Sequence, residues 1–264
     1  KPMYFLLQFS AFFACKKQEA KSLNKIYGEG NNKFYALRDV NLKVNKGEFV
    51  AVMGTSGSGK STLLNMLSGL DRPTSGEVFL DGISLTSASE AELTKLRGEK
   101  IGFIFQFFNL IPVLTAEENV SLPLFILGKY DDQARKKAVD LLNLLGIGRL
   151  ASSRPSDMSG GQQQRVAIAR ALITEPKMIL ADEPTGSLDS RTSKEILDIL
   201  RHFCDEMNHT IVMVTHDAKV ASYAHRIIFM EDGKLIDELN FKNSNQSVSQ
   251  RVVEITRRIE RELV

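Results

Sequence analysis

Apolar residues follow two rhythms along this chain. The first is a set of short unbroken runs: FVAVM at 49–53, IGFIF at 101–105, MILA within 177–181, and the β-branched TIVMV at 210–214. Runs of strand length with no polar side read as strands buried on both faces, as in a sheet covered by helices. The second rhythm recurs every three or four positions. It predicts helices at 63–67, 91–97, 116–127, 131–145, 163–174 and 191–208. A last one follows the polar linker 240–247, where Val248, Val252, Ile255, Ile259 and Leu263 form one stripe among Arg251, Glu254, Arg257, Arg258 and Arg261. Docking of that stripe on its own domain is the first expectation, and contact with a second subunit or a membrane surface the alternative.

Weaker strand signals surround these runs. KIY at 25–27 ends in the turn GEGNN, residues 34–44 alternate, 77–80 precede the tight turn Asp81-Gly82, and 226–230 and 235–239 flank EDGK as a hairpin. Between 107 and 173 the pattern is helical without strands, so this stretch reads as an insertion into an α/β body. It opens with FFNLIP at 107–112, too apolar for a free loop and too punctuated for a core helix. A groove for a partner, or a loop folded into the core, accounts for it.

Composition narrows the picture. With 264 residues, 43% hydrophobic and 25% charged, the chain can bury a real core, and its net charge of +2 with mixed signs gives no surface for tracking nucleic acid. No nucleic-acid partner is expected. Cys15 and Cys204 make no disulfide framework, and His202, His209, His216 and His225 lack metal-ligand spacing. No segment reaches the roughly 20 apolar residues of a membrane-spanning helix. Residues 3–15, between Lys1 and Lys16-Lys17, resemble the apolar part of a signal peptide, a disordered leader or an arm that docks on a partner. The expected layout is a leader of uncertain origin at 1–19, a domain at 20–240 with a helical part at about 107–173, and a linker and amphipathic helix at 241–264.

The chemistry gathers where strands end. GTSGSGKST at 54–62 lies between the run 49–53 and a helix, and Gly54, Gly59, Lys60 and Ser61 fill the fixed positions of a P-loop. Its glycines let successive N–H groups turn around a polyphosphate, the helix adds its positive end, Lys60 neutralises phosphate oxygens and the Ser61 hydroxyl suits Mg²⁺. Gln106 ends the run 101–105, where it would meet Mg²⁺ or an attacking water, unless it is an ordinary surface glutamine. Asp182 and Glu183 end the third run, one suited to the Mg²⁺ shell and the other to polarising a water. His216 follows the fourth and is placed to contact a γ-phosphate. Ser159-Gly160-Gly161-Gln162 before a helix reads as a second anion site; a plain N-cap explains the serine but not both glycines. Tyr27, or alternatively Tyr35, is placed to stack on adenine, with a half-buried strand aromatic as the plainer account of either.

Taken in order, the P-loop, the glutamine after a strand, SGGQ, the strand ending Asp-Glu and the strand ending in histidine resemble the ATP-binding-cassette (ABC) ATPases over about residues 20–240. The finer text, including IGFIFQFFNLIP and MSGGQQQRVAIARALITEPKMILADEPTGSLDS, is similar to the ATPase subunits of macrolide-exporting, lipoprotein-releasing and antimicrobial-peptide-resistance transporters. The resemblance implies a P-loop NTPase fold with a mixed sheet, an antiparallel β subdomain and a helical signature subdomain. It implies ATP and Mg²⁺ as cofactors. Tyr27 would stack on adenine, Gly54, Thr55, Ser56, Gly57, Ser58, Gly59, Lys60, Ser61 and Thr62 would hold phosphates, and Ser61, Gln106 and Asp182 would serve the metal. Glu183, His216 and Gln106 would be catalytic. Ser159, Gly160, Gly161 and Gln162 would cap the γ-phosphate held by a second copy, and Ser187, Leu188 and Asp189 would touch that copy. A separate membrane permease is the implied partner, at the cytoplasmic face of the cell membrane. Met158, where leucine is usual, and Phe107, where a polar residue is common, depart from the pattern. A cassette acting on a cytosolic assembly or nucleic acid, and a nucleotide sensor without turnover, are the competing functions. The presence of Lys60, Glu183 and His216 argues against the sensor.

Overall fold

The computed structural model describes residues 18–242 and 244–262. Residues 1–17 of the expected leader, with Cys15, and Leu263 of the C-terminal stripe lie outside the described residues.

Strands β1 (Gln18–Tyr27), β2 (Phe34–Val44), β4 (Ser75–Leu80) and β5 (Ile83–Ser84) form one antiparallel sheet in the order β2-β1-β4-β5. The second sheet has six strands. Its order is β10 (Lys234–Asn240), β9 (Arg226–Glu231), β3 (Phe49–Met53), β8 (Ile211–Thr215), β7 (Met178–Asp182) and β6 (Ile101–Phe105). All neighbours in it are parallel except β9 and β10, so the sheet is mixed, as the resemblance implied. The helices are α1 (Lys60–Ser68), α2 (Glu90–Lys100), α3 (Ala116–Ile126), α4 (Asp132–Leu144), α5 (Gly160–Leu172), α6 (Ser190–Asp205), α7 (Ala218–Ala221) and α8 (Val248–Glu262).

The unbroken apolar runs have a direct explanation. Phe49, Ala51 and Met53 of β3 enter one core with Ile179, Ala181, Ile211 and Met213, where α3 to α6 pack. Val50 and Val52 enter another with Leu180, Val212 and Val214, under α1, α2 and the antiparallel sheet. Successive strand residues point to opposite faces, and both faces are covered, so no polar position is left.

Several boundaries differ from the sequence reading. β1 begins at Gln18, whose side-chain amide donates to the Leu67 carbonyl at 3.0 Å, so the expected leader boundary at residue 19 falls inside a strand. The alternation there is interrupted by register shifts, which hides it from a period-two reading. α2 starts earlier, because Ser89 and Glu92 close a capping box, and runs on to Lys100. α5 starts at Gly160, so both glycines lie inside its first turn rather than ahead of it. The C-terminal stripe docks on this chain: α8 packs on α7 and β10, Ile255 is fully buried in the same core as Phe49 and Met53, and Ile259 packs against it. Truncating Ile255 to alanine would cost about 2 to 5 kcal/mol.

Candidate functional site

The parallel register sets the site. Phe105 pairs with Asp182, Asp182 with Val214, and Met53 with Thr215. Gln106, Glu183, His216 and the loop beginning at Gly54 therefore leave one edge of the sheet together, at the carboxyl ends of its strands.

The loop at 54–59 is shaped by close approach. A Cβ on Gly54 would lie 2.2 Å from the Met230 carbonyl oxygen. Gly59 is the N-cap of α1 at φ +105°, and a Cβ there would lie 2.4 Å from the Ala36 carbonyl. No side chain caps α1, which leaves its first-turn N–H groups to the loop. Lys60 Nζ donates to the carbonyls of Gly54 at 2.8 Å and Thr55 at 2.7 Å. Burial pushes the Lys60 ammonium below its ordinary pKa, against the pull of Glu183 and Asp182. Ser58 Oγ is buried with no hydrogen-bond partner, an orphaned polar atom in the middle of the loop.

Asp182 is half-buried, and burial, then the neighbouring Glu183 charge, hold its carboxyl above the ordinary range while Lys60 opposes them. Glu183 sits in the left-handed region at φ +45°. Its Oε2 accepts from Thr215 Oγ1 at 3.0 Å, and its Oε1 accepts from the His216 N–H at 3.1 Å and lies 2.7 Å from His216 Nδ1. Gln106 packs on the turn after Glu183: a Cβ on Gly186 would lie 2.7 Å from Gln106 Nε2. Tyr27 ends β1, and its hydroxyl donates to Asp71 Oδ2 at 2.8 Å. The Thr62 hydroxyl also bears on that phenol, so Tyr27 stands beside the first turn of α1. Tyr35 is instead engaged by the Arg38 guanidinium, 5.3 Å from its ring centre.

The SGGQ segment belongs to a different part of the molecule. α5 packs on α3, α4, α6 and β6, whereas α1 packs on β1, β2, β4, β7 and β8. Ser159 caps α5, with Gln162 completing the capping box. A Cβ on Gly161 would lie 2.4 Å from Thr192 Cγ2, so close packing against α6 accounts for one glycine that the plain N-cap left unexplained. Asp189 caps α6 and accepts from Thr192 Oγ1 at 2.6 Å.

The apolar stretch 107–112 divides. Leu110 packs into the core while Phe107 is 72% exposed, and Arg170 of α5 donates to the Phe108 carbonyl at 2.7 Å and to that of Asn109. Met158 is buried in the α5–α6 core.

Two residues escaped the sequence reading. Thr215, fully buried, holds Glu183, but in a β-branched strand its hydroxyl looks like one more core methyl. Gln164, also fully buried, donates through Nε2 to the carbonyls of Pro184 and, at 3.4 Å, Phe105, joining α5 to the loops on either side of the site. Its place in the polar run QQQR disguised it. Elsewhere, Cys204, Asp205 and His225 bring possible metal donors within 4.8 Å of one another. Hydrogen bonds engage both ring nitrogens of that histidine: the Phe49 N–H donates to Nδ1 and Nε2 faces Asp205, each at 3.0 Å. Burial pushes the Cys204 thiol up to about 12, so this is a hydrogen-bond chain rather than a cation site.

A family model described as ABC transporter matches residues 37–186 of this chain. The chain belongs to the ABC transporter ATP-binding cassettes. It is 50% identical over 221 residues to the uncharacterized ABC transporter ATP-binding protein MJ0796 of Methanocaldococcus jannaschii, covering 81% of this chain and 93% of that one. A dimeric structure of the MJ0796 cassette in a post-hydrolysis state, bound to ADP and Pi, superposes with a TM-score of 0.78 at 48% identity, covering 85% of this chain and 98% of that one. The cassette is also 48% identical over 220 residues to the macrolide export ATP-binding/permease protein MacB of Mannheimia succiniciproducens. That match takes in 83% of this chain but spans only about a third, 34%, of the relative. The cassette is thus an ATP-binding and ATP-hydrolysing subunit of an ABC transporter.

Proposed function

We propose that two copies of this cassette close head to tail over two Mg-ATP, and that closing and reopening drive a membrane permease exporting or extracting a hydrophobic, peptide or lipid-like substrate. The observation that carries the catalytic part is the Glu183 carboxylate, held on both oxygens by Thr215 and His216 at the edge where Lys60 also lies.

In this reading Tyr27 stacks on adenine, residues 54–62 wrap the phosphates and Lys60 turns from the loop carbonyls to phosphate oxygens. Glu183 orients the attacking water and takes its proton, and His216 reaches the γ-phosphate. The donors fit Mg²⁺: Ser61, Gln106 and Asp182 offer hard oxygens, and the Asp182 carboxyl is raised by burial and by Glu183, with Lys60 the cation that opposes them among the described residues. When bound, the ion neutralises charge on the β- and γ-phosphate oxygens. Ser159, Gly160, Gly161 and Gln162 face the γ-phosphate of the other copy, with the turn 187–189 beside them.

The dimeric relative and the export relative support the pairing and the transport direction. No helix among the described residues is long and apolar enough to cross a membrane. In this reading the permease is the membrane-embedded part and the cassette sits at the cytoplasmic face. Exposed Phe107, which follows Gln106, and exposed Val113 form the contact with it.

The test compares steady-state hydrolysis and gel-filtration size for wild type and Glu183→Gln. Hydrolysis falls by about 10² to 10⁴-fold, and the variant runs as a dimer only with ATP. Full activity in Glu183→Gln would remove the residue from its role.

A further inference from the structure

Asp71 has had no part so far, yet it is held from four directions. Its Oδ1 accepts from Lys25 Nζ at 2.8 Å and from the Arg72 N–H at 2.7 Å, and its Oδ2 accepts from the Tyr27 hydroxyl. Its own N–H donates to the Asn65 carbonyl near the end of α1, at 3.3 Å. Lys25 completes the cluster: its ammonium also donates to the Arg72 carbonyl at 2.7 Å and lies over the Tyr27 ring, 4.7 Å from the centroid.

We propose that Asp71 is a positioning residue for the nucleotide base: with Lys25 it locks the Tyr27 ring, one face under the ammonium and the other presented to adenine. This rests on the stacking role proposed for Tyr27. The cluster also fixes a distance. α1 carries Lys60, Ser61 and Thr62 in its first turn and anchors Asp71 beyond its last, so one rigid helix sets where the phosphates and the base lie relative to each other.

The physical gain is preorganisation. Tyr27 is 39% exposed, and an unrestrained exposed tyrosine would have to be ordered each time a nucleotide binds. The charges suit the arrangement. Burial pushes the Asp71 carboxyl up, but hydrogen bonds from Lys25, Tyr27 and the Arg72 N–H outweigh it and hold the group below its ordinary range. Burial, then Asp71, raise the Tyr27 phenol, which therefore stays a donor.

The experiment is calorimetric titration of the full chain, with Mg²⁺, using ATP and inorganic tripolyphosphate as separate probes. Asp71→Ala should weaken ATP by about two- to tenfold and leave tripolyphosphate unchanged, which also reports that the variant is folded. Asp71→Asn, which keeps the shape, should weaken ATP less. In a Tyr27→Phe background, where only the hold through Lys25 is left, Asp71→Ala should cost less than it does in the wild type. Equal weakening of both probes, or losses that multiply in the double variant, would overturn the proposal. Tyr27→Ala separates the two readings. If it leaves ATP affinity intact, stacking itself fails and the relay with it; if it weakens ATP while Asp71→Ala does not, only the relay fails.

Discussion

α1 and α5 both begin at a run of glycine and serine, yet their first turns are finished differently. At α1 the N-cap is Gly59 in a left-handed conformation, and no side chain caps the turn. At α5 Ser159 and Gln162 close a complete capping box, with the Gln162 side chain accepting from the Ser159 N–H at 2.9 Å. The first helix has no side chain on its donors, which leaves them open to the anion that the proposed function places there. The second has already engaged some of its own, so an arriving phosphate must add to or displace a finished cap. In the proposed function one helix start is a binding site within this chain, and the other becomes one when a second copy brings its nucleotide.

The hardest test of that contrast is Gly59→Ala. Its methyl would meet the Ala36 carbonyl at an unfavourable φ, so we expect a loss of about 1 to 3 kcal/mol in stability and at least about tenfold in ATP affinity, read by denaturant unfolding and calorimetry. Gly161→Ala follows. Its methyl meets Thr192 Cγ2 first, and the overpacking should cost about 1 to 3 kcal/mol. Adding Thr192→Ser removes that methyl and should restore stability without restoring the ATP-dependent dimer. Recovery of the dimer as well would mean that Gly161 serves packing alone.

Ser159→Ala should cost about 1 kcal/mol through the lost cap, whereas Ser159→Asp should keep the cap in a urea melt and still repel the partner's phosphate in gel filtration. The smallest effect concerns charge beside α1. Asp182 has its carboxyl raised on folding, so the folded chain retains a proton that the unfolded chain has released. Its contribution is therefore present below about pH 4 and lost as pH rises through the folded value. Asp182→Asn should raise the melting temperature of the nucleotide-free protein at neutral pH and flatten that decline.

Much of this was legible because the chemistry lies at strand ends. The runs 49–53 and 101–105 match β3 and β6 residue for residue, and the residues that follow them, Gly54 and Gln106, leave the sheet at one edge. What escaped notice was set by contacts distant in sequence. Nothing near Gly161 announces Thr192, and Thr215 reads as a strand residue until Glu183 is placed against it. Nothing in the sequence around Asp71 announces Tyr27, 44 residues before it. β1 was read short because its register shifts interrupt the alternation.

The alternate sidedness of β3, β7 and β8 has a further consequence for how the molecule comes apart. Each of these strands is a wall common to both cores, so neither half can melt and leave the other enclosed. Amides at Val52, Leu180 and Val214 should exchange with solvent only through one shared opening, and heat should dissolve both halves in a single step.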